Sequence, residues 1–136
     1  MNLIKNFAPN FIGGSADLGP SNKTVLNGEG EFSADNYGGR NIHFGVREQA
    51  MAAVGNGLML YGGLKAYVAT FFVFSDYVKP MARLSSLMKL PLTYVFTHTG
   101  DRYAGDTQEQ NNSVSPTGYH DYKMTVPAVD TLASLE

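Results

Sequence analysis

Two dense apolar runs, Lys65–Val73 (KAYVATFFV) and Leu92–Thr97 (LTYVFT), separated by one helix-length segment, constrain this chain more than any other feature. Both runs are rich in β-branched and aromatic residues and lack the alternation of a half-exposed strand, so each predicts a buried strand. Between them, Asp76–Lys89 predicts a helix with Ser75 as its cap and Ala82, Leu84, Leu87 and Met88 as its apolar face. Pro80 falls within about its first turn, where proline is tolerated. A strand, a crossover helix and a second strand make a parallel pair, which places the chain in the α/β class, a parallel sheet flanked by helices.

The rest of the chain extends that pattern. Asn10–Ile12 is a short apolar piece running into a turn at Gly13-Gly14-Ser15, and Asn22–Gly39 reads as a loop rich in Gly, Asn and acidic residues. Asn41–Gly45 predicts a short strand, followed by a helix over Val46–Tyr61. In that helix Val46, Ala50, Ala53, Val54 and Leu58 recur at helical spacing, and Gly62-Gly63 stops it. Thr125–Val129 predicts a further strand and Asp130–Glu136 the start of a helix. Between Thr99 and Tyr122 the chain is polar, with hardly an aliphatic residue, which suits a functional or poorly ordered loop.

At 136 residues the chain fits one domain. Ten basic against twelve acidic side chains give a net charge of −2, without the basic excess that nucleic acid or an anionic membrane surface would require. Cysteine is absent, so disulfides and thiolate metal sites are excluded. The N-terminal residues carry no signal-peptide pattern and no apolar run approaches membrane-spanning length, so the expected location is the cytoplasm.

Ligands of parallel α/β sheets bind at the carboxyl ends of the strands. Those ends carry Asp17, the Gly45–Glu48 junction, the Phe72–Tyr77 junction and His98. Taken singly, Glu48 is an ordinary first-turn glutamate, the aromatics of Phe71–Tyr77 are ordinary core, and His98 is a structural histidine. Phe74 and Tyr77, at and beyond a strand end, suit a pocket wall.

Taken together, with their order and spacing, these segments resemble the pyrimidine-binding domain of transketolases. The resemblance runs through Gly13-Gly14-Ser15-Ala16-Asp17-Leu18, then Pro20-Ser21-Asn22 and Thr24, then Gly39-Arg40-Asn41-Ile42-His43-Phe44-Gly45-Val46-Arg47-Glu48. It resumes at Ala50-Met51-Ala52-Ala53, at Thr70-Phe71-Phe72-Val73-Phe74-Ser75-Asp76-Tyr77 with Pro80, and at Tyr94-Val95-Phe96-Thr97-His98. It implies the thiamine diphosphate-binding fold of a pyrimidine domain, incomplete at its C-terminus. The implied domain core is residues 1–98, followed by a divergent polar loop over 99–126 and the start of the next helix over 127–136.

The activity it implies is a thiamine diphosphate-dependent transfer of two-carbon ketol units between sugar phosphates, as in the pentose phosphate pathway. Glu48 falls on the catalytic glutamate that hydrogen-bonds ring nitrogen N1′ of the cofactor's aminopyrimidine. Phe71, Phe74 and Tyr77 fall on aromatics that wall that ring, and Asp17 on an aspartate near the thiazolium. Ser21 and His98 fall on residues contacting the sugar phosphate, His98 also as a catalytic residue, and Asp106 keeps an aspartate of the substrate site.

The resemblance breaks after His98, where Gln110 replaces a family histidine; no catalytic role is carried onto Gln110 or His120. Gln49 departs from the histidine usual after the glutamate. No Gly-Asp-Gly run with a downstream asparagine occurs, so no metal ligands are assigned. Magnesium and the diphosphate are expected on a separate domain, supplied by a partner subunit or within a homodimer, and the chain alone is expected to be inactive. A non-catalytic binding or dimerisation module of the same ancestry and a deoxyxylulose phosphate synthase-like fragment are the alternatives.

Overall fold

A computed structural model describes residues 1–98, so the expectations for the 99–126 loop, Thr125–Val129 and Asp130–Glu136 lie outside the described residues. The elements are α1 (Ile4–Phe7), β1 (Phe11–Ser15), α2 (Gly19–Asn22), β2 (Asn41–His43), α3 (Glu48–Tyr61), β3 (Lys65–Phe71), a 3₁₀ turn (Phe72–Phe74), α4 (Ser75–Leu87) and β4 (Thr93–Thr97). The four strands form one parallel sheet in the order β2-β1-β3-β4. The α/β fold read from the two apolar runs is therefore the observed one.

The Gly13-Gly14-Ser15 segment is not a turn but the second half of β1. A Cβ on Gly13 would lie 2.1 Å from the Tyr67 carbonyl oxygen, and one on Gly14 only 1.9 Å from that of Ile42. Two strands close on β1 from both sides, and only glycine leaves them room. The chain turns one step later, at Asp17.

Helix α3 buries a different face from the one its aliphatic spacing suggests. Its buried residues are Glu48, Met51, Ala52, Gly55 and Asn56, whereas Val46 lies before the helix and is 75% exposed, and Val54 is also exposed. Close packing decides this. Gly55 lies against Leu92 and Val68, where a Cβ would come within 2.9 to 3.0 Å of their side-chain carbons. One residue on, Asn56 Nδ2 donates to the Met81 carbonyl at 3.0 Å, and Ser85 Oγ bonds both Asn56 Oδ1 (2.5 Å) and the Tyr94 hydroxyl (2.6 Å). Burial pushes the Tyr94 phenol pKa up, and the Ser85 hydrogen bond partly offsets it.

Helix α4 also departs from expectation. Ser75 is its first residue, not its cap; the cap position is Phe74, without a side-chain hydrogen bond. Pro80 sits in the second turn, and the buried face is Ser75, Val78, Ala82 and Ser85. Leu84, Leu87 and Met88 are exposed, so of the four apolar residues expected on the inner face only Ala82 is buried. The strand expected to reach Val73 ends at Phe71, because Phe72–Phe74 already winds into the helix.

A second cluster, Ala8, Phe11, Leu26 and Tyr67, lies under the long loop before β2. Phe11 and Tyr67 stack at 4.8 Å, and the buried Tyr67 hydroxyl donates to the Thr24 carbonyl at 2.7 Å. Glu29 ties the same loop to the N-terminal segment through Lys5 at 2.9 Å and Arg40 at 2.6 Å. Hydrogen bonds from those two side chains hold its carboxyl below the usual glutamate range.

Two glycines two residues apart on α3, and so on different faces of the helix, test this packing. Gly55→Val is expected to lower the unfolding free energy by about 2 kcal/mol through overpacking. Gly57→Ala, where an added Cβ meets nothing within 4 Å, is expected to raise it by about 0.5–1 kcal/mol through helix propensity. Urea denaturation of both variants measures the contrast.

Candidate functional site

The four strands run in parallel, so their carboxyl ends share one edge of the sheet. Asp17 follows β1, Phe44–Arg47 follow β2, Phe72–Phe74 follow β3 and His98 follows β4. Two of these residues stand out in their backbone. Asp17 has φ 62° and His98 φ 59°, the left-handed region that costs an L-residue free energy. Strain of this kind is kept where the surrounding fold imposes it, and it gathers at functional sites.

A cleft of about 500 Å³ opens at this edge, lined by Ala16, Asp17, Leu18, Val46, Glu48, Phe74 and Tyr77. Four of the candidates read from the sequence, Asp17, Glu48, Phe74 and Tyr77, thus share one cavity. Phe71 does not line it but stacks behind Phe74 at 6.2 Å, and Phe74 in turn stacks on Tyr77 at 6.2 Å. The His98 ring packs on the other side of Phe71, at 3.9 Å. The four rings form a continuous ladder from the cleft wall to the end of β4.

Glu48 is the chemical centre of the cleft. It is the first residue of α3 and only 8% exposed. Arg47, its neighbour, donates its guanidinium to the Phe44 carbonyl at 3.1 Å. Among the described residues the Glu48 carboxyl has no hydrogen-bond or ion-pair partner. A carboxyl largely removed from water and left without a protein partner is costly, and a ligand that hydrogen-bonds it recovers that cost. The rest of the lining is mainly apolar. Such a cleft fits a flat heteroaromatic ring whose nitrogen meets Glu48 and whose face meets Phe74 and Tyr77.

Other expectations fall outside this cleft. Ser21 is exposed on α2 and does not line it, and Asp106 lies beyond the described residues. A second cavity of about 590 Å³ shares Asp17 and is otherwise lined by α2, by the loop from Thr24 to Glu31 and by β1 and β2. Sequence reasoning missed Ala16, Leu18 and Val46 as lining residues. Val46 was read as part of a helix core, and only its place at the strand–helix junction pointed elsewhere. Among the described residues no group of acidic, histidine or cysteine side chains could hold a metal ion, and no helix is long and apolar enough to cross a membrane.

The family profile described as "Transketolase, pyrimidine binding domain" matches residues 1–116. A curated transketolase of Halalkalibacterium halodurans is 58% identical over 98 residues, covering 72% of this chain and 15% of that protein. The crystal structure of a Campylobacter jejuni transketolase superposes with a TM-score of 0.69 at 49% identity, covering 74% of this chain and 15% of that one. A Pichia stipitis transketolase solved in complex with sedoheptulose-7-phosphate gives a TM-score of 0.68 at 44% identity over 70% of this chain and 15% of its own. The chain therefore spans about 15% of the length of the relatives it matches.

The backbone strain at Asp17 is open to measurement. Its N–H donates to the Ser15 carbonyl at 2.9 Å, and its side chain has no hydrogen-bond or ion-pair partner among the described residues. Asp17→Gly is therefore expected to raise the unfolding free energy by about 0.5–1 kcal/mol, because glycine adopts positive φ without penalty. Thermal and urea unfolding check this; a loss of stability would mean that the carboxylate serves the fold.

Proposed function

This chain belongs to the transketolase pyrimidine-binding domain family, and from that premise we propose that its cleft holds the aminopyrimidine ring of thiamine diphosphate. The observation that carries the reading is the buried, unpartnered Glu48 facing a cleft walled by Phe74 and Tyr77. In this reading Glu48 hydrogen-bonds ring nitrogen N1′ and holds or returns a proton there. Phe74 and Tyr77 pack on the ring, and Phe71 supports Phe74 from behind. Asp17 borders the site where the substrate would approach.

Thiamine diphosphate, when bound, supplies the carbon nucleophile of ketol transfer. This chain's residues position the ring, keep water from Glu48 and pass a proton at N1′. His98, with Ser21 and Asp106, contacts the sugar phosphate. Sugar phosphates are suggested as substrates because a related transketolase was crystallised with one. In this reading residues 1–98 form the working core.

A separate domain, on a partner subunit or across a homodimer in the cytoplasm, would hold the magnesium ion and the diphosphate. The exposed Val46 and Tyr77, 75% and 61% accessible, suit a cleft whose remaining wall comes from that partner. Without it this chain does not turn over substrate.

Isothermal titration of thiamine diphosphate with Mg²⁺ into the chain and into Glu48→Ala tests the reading. The expected result is weak binding that falls by about tenfold or more in the variant, the worth of a hydrogen bond to a charged or strongly polar group. Binding that Glu48→Ala leaves unchanged would overturn it. No binding at millimolar cofactor would leave a non-catalytic module of the same family.

A further inference from the structure

The dipeptide Asn-Gly, in which the main chain can attack the asparagine side chain, occurs twice in the sequence, at Asn27-Gly28 and at Asn56-Gly57. Glycine matters in such a pair because no Cβ stands beside the attacking nitrogen. The fold treats the two pairs in opposite ways.

Asn56 lies inside α3 and is 4% exposed. Its Nδ2 donates to the Met81 carbonyl at 3.0 Å and its Oδ1 accepts from Ser85 Oγ at 2.5 Å, so the side chain is fixed. Gly57 is interior to the helix, which commits its N–H to the helical hydrogen-bond ladder. Asn27 and Gly28, in contrast, are both exposed, in a turn closed by the Glu29 N–H on the Leu26 carbonyl at 3.3 Å. Neither the Asn27 side-chain amide nor the Gly28 N–H has a hydrogen-bond partner among the described residues. Gly28 has φ 79°, and a Cβ there would meet nothing within 4 Å. Only the Asn27 backbone is held: its N–H donates to Asn2 Oδ1 at 2.9 Å, and Lys5 Nζ donates to its carbonyl. Both contacts are exposed, so water can replace them.

We propose that Asn27 is a site of spontaneous deamidation, which adds a carboxylate to the wall of the second cavity while the fold protects the same dipeptide at Asn56. The Gly28 nitrogen gives up its proton to solvent and attacks Asn27 Cγ. An N–C bond forms, the bond from Cγ to Nδ2 breaks, and ammonia leaves with a proton from solvent. Water then opens the five-membered imide at either carbonyl, giving aspartate or isoaspartate. One water is consumed, one ammonia is released and no atom changes oxidation state. Either product is ionised at neutral pH.

The change reaches the cavity because Asn27, Gly28, Gly30 and Glu31 all line it, together with Asp17. A wall that already carries two carboxylates gains a third. The isoaspartyl product also lengthens the main chain by one carbon between two anchor points, since Asn41 Oδ1 accepts from the Leu26 N–H at 2.7 Å and Asn41 Nδ2 donates to the Gly30 carbonyl at 3.1 Å. The loop then bulges or releases one of these bonds.

Peptide mapping by mass spectrometry tests this on the full chain, incubated at mildly alkaline pH in buffer and, in parallel, unfolded in urea. Tryptic peptides 24–40 and 48–65 each contain one Asn-Gly pair, and fragment ions separate Asn27 from Asn36. The folded chain is expected to convert Asn27 within about tenfold of its rate in urea, because exposed loops open at little cost. Asn56 is expected to convert at least about a hundredfold more slowly than Asn27, the factor that opening a packed helix imposes. In urea the two rates should agree, and Asn27→Ser should leave peptide 24–40 unmodified at that position. Equal rates at Asn27 and Asn56 in the folded chain overturn the proposal. So does a folded-chain rate at Asn27 more than about tenfold below that in urea. Neither readout involves a cofactor, so the result is separate from whether the cleft binds thiamine diphosphate.

Discussion

The rotation of α3 about its axis is the constraint on which the site depends. It is set by Gly55, which lets the helix approach Leu92 and Val68, and by Asn56, which is bonded to Met81 and Ser85 on α4. Ser85 extends the network to the Tyr94 hydroxyl on β4, so two helices and a strand are pinned by one buried polar group. Polar networks in a core are costly unless satisfied, and a satisfied one specifies a single packing. Glu48 lies on the same face of α3, two turns earlier, so the packing that buries Gly55 and Asn56 also turns Glu48 inward.

The opposite wall of the cleft comes from the β3–α4 junction. There the chain passes from strand to 3₁₀ turn to helix without a loop, which places Phe71, Phe74 and Tyr77 in one stack. The stack continues to His98 at the end of β4. Regular elements thus carry Phe71, Phe74 and Tyr77, and His98 directly follows β4. The residues in left-handed conformation, Asp17 and His98, mark the ends of β1 and β4. In the proposed function they flank the substrate's path, while Glu48 and the aromatics hold the cofactor ring.

Much of this was legible in the sequence because parallel strands declare themselves as continuous apolar runs, and their carboxyl ends can then be counted. Asp17, Glu48, Phe74 and Tyr77 were placed on one edge in that way, and they line one cleft. The helix faces were not legible. In the expected helix Val46–Tyr61 most residues are apolar or small, so aliphatic spacing selects Val46, Ala50, Ala53, Val54 and Leu58, while shape and hydrogen bonding bury Gly55 and Asn56 instead. The glycines of β1 misled for the same reason: close approach of neighbouring strands and a tight turn demand the same residue. The Asn22–Thr97 hydrogen bond joins residues 75 positions apart, and no local pattern announces it.

Amide chemical-shift mapping on the ¹⁵N-labelled chain, titrated with thiamine diphosphate and Mg²⁺, tests the central claim most directly, because two cavities share Asp17 and only one contains Glu48. The account predicts that the shifts gather at Ala16–Leu18, Val46–Glu48 and Phe74–Tyr77. Shifts gathered instead along Val25–Glu31, with Glu48 and Phe74 unmoved, would contradict it.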